Sequence, residues 1–102
     1  MGRIQVMNGK YRGALITVPD GEPLLIGRDV HRCQLVLEPR WVSRIHLIIR
    51  YDGESDSYLV TDWSKCGTYD YNGMRLPEKR EVSCARHTAL WIGENGIEIL
   101  LE

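Results

Sequence analysis

The chain has 102 residues, room for one domain around one hydrophobic core. Hydrophobic residues make up 43% and charged residues 26%, a balance that excludes a disordered polar chain. The formal net charge of −1 argues against a polyanion binder, and no apolar run nears the roughly eighteen residues of a membrane span.

Taken in chain order, short alternating or continuous apolar runs predict strands at Arg3–Met7, Ala14–Val18, Leu24–Ile26 and Gln34–Leu37. Further strands are expected at Ile45–Arg50, Tyr58–Thr61, Thr88–Ile92 and Ile97–Leu101. Turn dipeptides separate them. Asn8-Gly9, Asn72-Gly73 and Asn95-Gly96 each suit a type I′ hairpin, because Asn and Gly tolerate positive φ. Asp20-Gly21 and Asp52-Gly53 add two more turns. No window of helical length keeps a 3.6-residue apolar period. The expectation is an all-β sandwich or barrel, a single domain over residues 1–102.

Charge is uneven along the chain. Between Ile26 and Arg50 stand Arg28, Arg32, Arg40, Arg44 and Arg50 against Asp29 and Glu38, a local excess of +3. The three cysteines, Cys33, Cys66 and Cys84, are an odd number at wide spacing and read as reduced thiols. His31 and Cys33 lie close, but no second pair follows at ligand spacing, so no metal or cofactor is expected. Met1–Lys10 lacks the apolar stretch of a signal peptide, and a cytoplasmic location is expected.

Three stretches fall where strands give way to loops. They are Leu25-Ile26-Gly27-Arg28-Asp29, Val42-Ser43-Arg44-Ile45-His46, and Asp62-Trp63-Ser64-Lys65-Cys66-Gly67-Thr68-Tyr69. The last is followed by Asn72-Gly73-Met74-Arg75-Leu76. In this order the sequence resembles the forkhead-associated (FHA) domain, whose pattern runs GR, then SRxH, then D-x-S-x-N-G-T and a later NG. The likeness covers roughly Leu24–Leu101.

That resemblance implies a β-sandwich of two mostly antiparallel sheets carrying a ligand site on its loops. It implies a partner protein phosphorylated on threonine, as by a Ser/Thr kinase. The net charge of −1 and the lack of a long apolar run lead to no expected role for nucleic acid or membrane. A phosphothreonine carries about −1.5 to −2 charge and three acceptor oxygens. By resemblance Arg28 contacts the phosphate with its planar fork, and Ser43 reaches it through hydroxyl and backbone. Arg44 follows at a position that touches peptide or phosphate. Cys66, Gly67 and Asn72 occupy positions that hold the peptide backbone and loop. His46, Gly27 and Thr68 are expected to support the loops.

The sequence departs from the pattern at two places. Lys65 stands where Ser or Thr is common, and an ammonium can pair with phosphate as a point charge. Cys66 stands where the family has Asn, and a thiol cannot replace the amide's paired contacts. Thr68–Asn72 is also one residue longer than the usual spacing. These departures favour an alternative, an FHA-like fold that docks its partner independently of phosphate. Catalysis is not expected: Ser43, His46 and Cys66 form no nucleophile motif of the G-x-S-x-G kind. Specificity beyond the phosphothreonine is expected from Gly93–Gly96 and from the Ser64–Asn72 region.

Overall fold

A computed structural model describes all 102 residues and contains ten strands and no helix. In chain order they are β1 (Gly2–Val6), β2 (Leu15–Val18), β3 (Leu24–Gly27), β4 (Leu35–Val36) and β5 (Leu47–Asp52). They continue as β6 (Ser57–Asp62), β7 (Thr68–Tyr69), β8 (Glu81–Ala85), β9 (Ala89–Ile92) and β10 (Ile97–Leu101). One five-stranded sheet runs β2-β1-β10-β9-β7 and the other β4-β3-β5-β6-β8. Every pairing is antiparallel except β3 with β4, where Ile26 lies opposite Leu35 and Gly27 opposite Val36. The chain is the two-sheet β-sandwich its sequence suggests.

Alternation of side chains explains the sandwich. In β6, Tyr58, Val60 and Asp62 point inward, while Leu59 and Thr61 remain half-exposed on the other face. Leu47 and Ile49 of β5 share the inner face and meet Ile4, Val6, Leu90, Ile92, Ile99 and Leu101 of the opposing sheet in one 17-residue core. Each such side chain, fully buried, contributes about 1.5–3 kcal/mol of transfer free energy.

Two strands escape the sequence reading. β7 has only two residues, and β8 is an edge strand whose Val82 and Cys84 are merely half-buried, so its apolar signal is faint. Several boundaries move: Ile45 and His46 belong to a loop, and β5 runs on to Asp52. β4 keeps only the middle pair of Gln34–Leu37.

The Asn-Gly pairs all lie in connections, but none forms the expected type I′ turn, which needs positive φ at both residues. Gly9 and Gly73 have φ of 78° and 75° without their asparagines, and Asn95 has 52° without its glycine. Asn8 is used elsewhere. Its side chain donates to Gly96 O at 3.1 Å and accepts from Glu98 N at 2.9 Å, pinning the β1–β2 loop to the β9–β10 hairpin.

Tyr58 closes the opposite pole. Its buried hydroxyl accepts from Arg3 N at 2.8 Å and lies against the carbonyls of Arg3 and Glu102, linking β6 to both termini. We expect Tyr58→Phe to deprive Arg3 N and the Glu102 carbonyl of this partner and to cost about 1–3 kcal/mol. A shift of the denaturant midpoint at unchanged slope checks it.

Candidate functional site

Strand ends bring the three motif stretches to one end of the sandwich. Ile26 pairs with Leu47, and Leu47 with Asp62, so the residues just beyond them share one rim. Arg28 N donates to Ser43 O at 3.0 Å, and Asp29 N to Arg44 O at 3.2 Å. The contact is so close that a Cβ on Gly27 would lie 2.1 Å from Arg44 O. Only glycine fits there.

The Arg28 guanidinium is anchored by one nitrogen, with Nε donating to Val42 O at 2.6 Å. Asp29, which lines the same cleft, is occupied by Arg32 at 2.6 Å. The Arg32 hydrogen bond holds the Asp29 carboxyl below its ordinary range. Arg28 and Arg44 line one open cleft of about 370 Å³, and neither has a carboxylate partner. Lys65 is exposed and unpaired too, as are Arg12, Arg40, Lys79 and Arg80 elsewhere, whereas Arg3, Arg50, Arg75 and Arg86 are all in ion pairs.

Ser43 joins these cations. Its Oγ accepts the Lys65 backbone N–H at 3.0 Å, and its own hydroxyl hydrogen has no acceptor within the chain. Ser43 N donates to Nδ1 of His46 at 3.1 Å. That fixes the tautomer, so Nε2–H donates to Gly67 O at 2.9 Å. Gly67 O also accepts from Gly93 N at 2.9 Å. His46 is completely buried, and desolvation holds its imidazole below the ordinary histidine value.

A second network builds the Ser64–Thr68 loop. Asp62 has no exposed surface, and its Oδ1 accepts from Ser64 N, Ser64 Oγ and Thr68 Oγ1 at 3.1, 2.6 and 3.2 Å. Arg75 Nε pairs with Oδ2 at 3.2 Å, and its Nη2 donates to Ser64 O at 3.0 Å. Gly67 takes φ of 99°, a conformation L side chains rarely adopt. Cys66 is exposed beside it and lines a separate cleft with Trp41, Gly93 and Glu94.

The structure thus unites Arg28, Ser43, Arg44 and Lys65 at one rim, supported from beneath by Gly27, His46, Gly67 and Thr68. Asn72 stands apart at the tip of a hairpin, where its backbone N–H is held by Asp70 at 2.8 Å and its side chain makes no bond. The extra residue of this hairpin is accommodated by a three-residue loop. Asp70 Oδ1 caps both Asn72 N and Met74 N, and Gly73 takes positive φ. Sequence reasoning passed over Arg75 and Trp41. Arg75 is distinguished only by the Asp62 it reaches. Trp41 packs so tightly on the β9–β10 turn that a Cβ on Gly93 would sit 2.5 Å from its ring.

The fold and this rim define a loop-borne recognition domain, and comparison gives it a family. The chain belongs to the FHA domain family, whose model matches residues 24–89. The FhaA FHA domain, solved in complex with the intracellular domain of Rv3910, is similar at 28% identity and TM-score 0.78 over the full length of both chains. An FHA domain from a study of phosphothreonine-dependent interactions is 27% identical with TM-score 0.73, covering 99% of this chain and 94% of that one. The N-terminal FHA domain of Saccharomyces cerevisiae Rad53p, solved with a phosphothreonine peptide, shares the fold at 19% identity and TM-score 0.78. The match covers 98% of this chain and 90% of that one.

The clamp on His46 carries a pH dependence. A histidine held neutral in the folded state, with a depressed pKa, binds its proton more readily once unfolded. Stability is therefore intact above the unfolded value of about 6.5 and is lost as pH falls from there toward the folded value. We expect unfolding free energy to drop between pH 7 and pH 5 by up to about 1.4 kcal/mol per pH unit from this group. His46→Asn should be less stable at pH 7 and show a flatter pH slope, measurable by denaturant titration.

Proposed function

We propose that this domain binds a threonine-phosphorylated segment of a partner protein, with the phosphate held by Arg28, Ser43, Arg44 and Lys65. The observation that carries the reading is that Arg28 and Arg44 line one open cleft without ion-pair partners, on loops that also carry the free Ser43 hydroxyl and the exposed Lys65. Phosphate oxygens are acceptors only, so a guanidinium fork, a hydroxyl and an ammonium match them group for group. His46 and Gly27 hold this array rigid, which lowers the ordering cost of binding. Relatives solved with or studied for phosphothreonine binding support the same reading. The partner is the substrate of a Ser/Thr kinase, and the three free cysteines suit a reducing cytoplasm. The domain recognises and does not catalyse.

Lys65 is the distinctive element. It supplies a point charge where Cys66 provides no amide for the peptide backbone. The exposed Cys66 is also what favours the second reading, docking without phosphate.

Titration calorimetry with matched phosphorylated and unphosphorylated peptides separates the two. Arg28→Ala should weaken the phosphorylated peptide about ten- to hundredfold, the equivalent of one charge-assisted hydrogen bond. Folding should lose no more than about 3 kcal/mol, the upper value for the one charge-assisted bond to Val42 O. Lys65→Ala should weaken it less, and the loss should shrink at high salt as the exposed charge is screened. Phosphoserine should bind about fourfold more weakly than phosphothreonine for want of one buried methyl.

The departure at Cys66 has its own test. Cys66→Asn should tighten phosphopeptide binding a few-fold by restoring an amide with donor and acceptor. The same calorimetric titration reads the gain. Indifference of affinity to phosphate and to all three substitutions would establish docking without phosphate instead.

A further inference from the structure

Next to the cationic rim lies a region of opposite character. Cys66, Trp41, Gly93 and Glu94 line an open cleft of about 300 Å³. Glu94 also lines a second cleft of about 210 Å³, whose walls include Tyr69, Asp70, Tyr71, Trp91 and Asn95. The two clefts are neighbours that share Glu94 as a common wall. The second is aromatic and acidic, and no basic side chain lines it.

Its walls follow from the sheet register. Tyr69 of β7 lies opposite Trp91 of β9, and both turn away from the core, where their neighbours Thr68, Leu90 and Ile92 are buried. Tyr71 projects from the hairpin tip and is 81% exposed. Asp70 spends one carboxylate oxygen on Asn72 N and Met74 N, and its other oxygen has no partner. Glu94 makes no ion pair or hydrogen bond at all, although six of the eight ion pairs of this protein engage other exposed or half-exposed acids through arginine or lysine.

Resting on the phosphothreonine reading above, we infer that this aromatic-acidic cleft selects a lysine or arginine in the bound peptide. Such a side chain has an apolar stem and a cationic tip. The stem lies along the rings of Tyr69, Tyr71 and Trp91, and the tip meets Glu94 and the free oxygen of Asp70. The ligand is thus a dipolar segment, anionic at the rim and cationic at the cleft. The separation follows from the chain: Cys66 borders the rim, and Tyr69 lies three residues on, within about 10 Å. An extended peptide advances about 3.3 Å per residue. The basic residue therefore sits about three to four positions from the phosphothreonine.

The test is a positional scan. Phosphothreonine peptides with a neutral background carry one lysine, moved from five residues before the phosphothreonine to five after, and each is titrated by fluorescence anisotropy. We expect one position, three or four residues from the phosphothreonine on one side, to bind about three- to tenfold more tightly than its alanine control. Glu94→Gln should erase most of that gain, and Glu94→Lys should turn it into a preference for glutamate at the same position. Glu94 lies in an exposed turn, and unchanged melting of both variants verifies the fold. A flat scan with phosphate still required overturns this inference and spares the reading beneath it. A lysine preference indifferent to Glu94 overturns the assignment to this cleft. Equal binding of phosphorylated and unphosphorylated peptides overturns the phosphothreonine reading itself, and this inference with it.

Discussion

The carbonyl of Gly67 is the junction on which the recognition rim depends. One oxygen accepts from His46 Nε2, in the loop entering β5, and from Gly93 N, in the β9–β10 turn. Those two elements belong to different sheets, so a single backbone group locks the sandwich together at its functional end. A carbonyl with two donors is fully satisfied, and a buried group left with one would be less so. Gly67 itself has φ of 99°, which a side chain would strain.

From that junction the arrangement propagates outward. His46 is held neutral by burial, so its Nδ1 can accept from Ser43 N and set the loop that carries Ser43 and Arg44. Ser43 then receives Lys65 N, and Arg28 closes onto Val42 and Ser43. The buried Asp62 carboxylate performs the matching task beneath the Ser64–Thr68 loop. A carboxylate with no access to water must find donors, and it finds four, Arg75 among them. The protein's internal polar groups are thus consumed in shaping loops, while three cations at the rim are left without counter-charge. That division is what the proposed phosphate reading rests on, and the neighbouring acidic cleft gives the surface its polarity.

Much of this was legible in the sequence because it rests on local pattern. The β10 run Ile97–Leu101 is continuous and apolar, and its predicted span is the observed one. The GR, SRxH and D-x-S-x-x-G-T stretches mark the rim because each sits at a strand end. Other features depend on partners far away in the chain. Asn8 reads as a hairpin residue until Gly96 and Glu98, some ninety positions distant, claim its amide. Arg75 looks like any surface arginine until Asp62 is known to be buried. Trp41 gives no sign that it covers two glycines of a remote turn. β8 escaped because an edge strand buries only half its inner side chains, which blurs the alternation that reveals strands elsewhere.

The central claim is that a phosphate sits where the Arg28, Ser43 and Lys65 bonds converge. Nitrogen-resolved NMR of the labelled domain tests this directly, by following the Arg28 Nε–H and the backbone amides of Ser43, Lys65 and Gly67 during titration. With a phosphothreonine peptide these resonances should move first and furthest, and the dephosphorylated peptide should leave them in place. Shifts concentrated on a sheet face, or equal shifts from both peptides, would contradict the account.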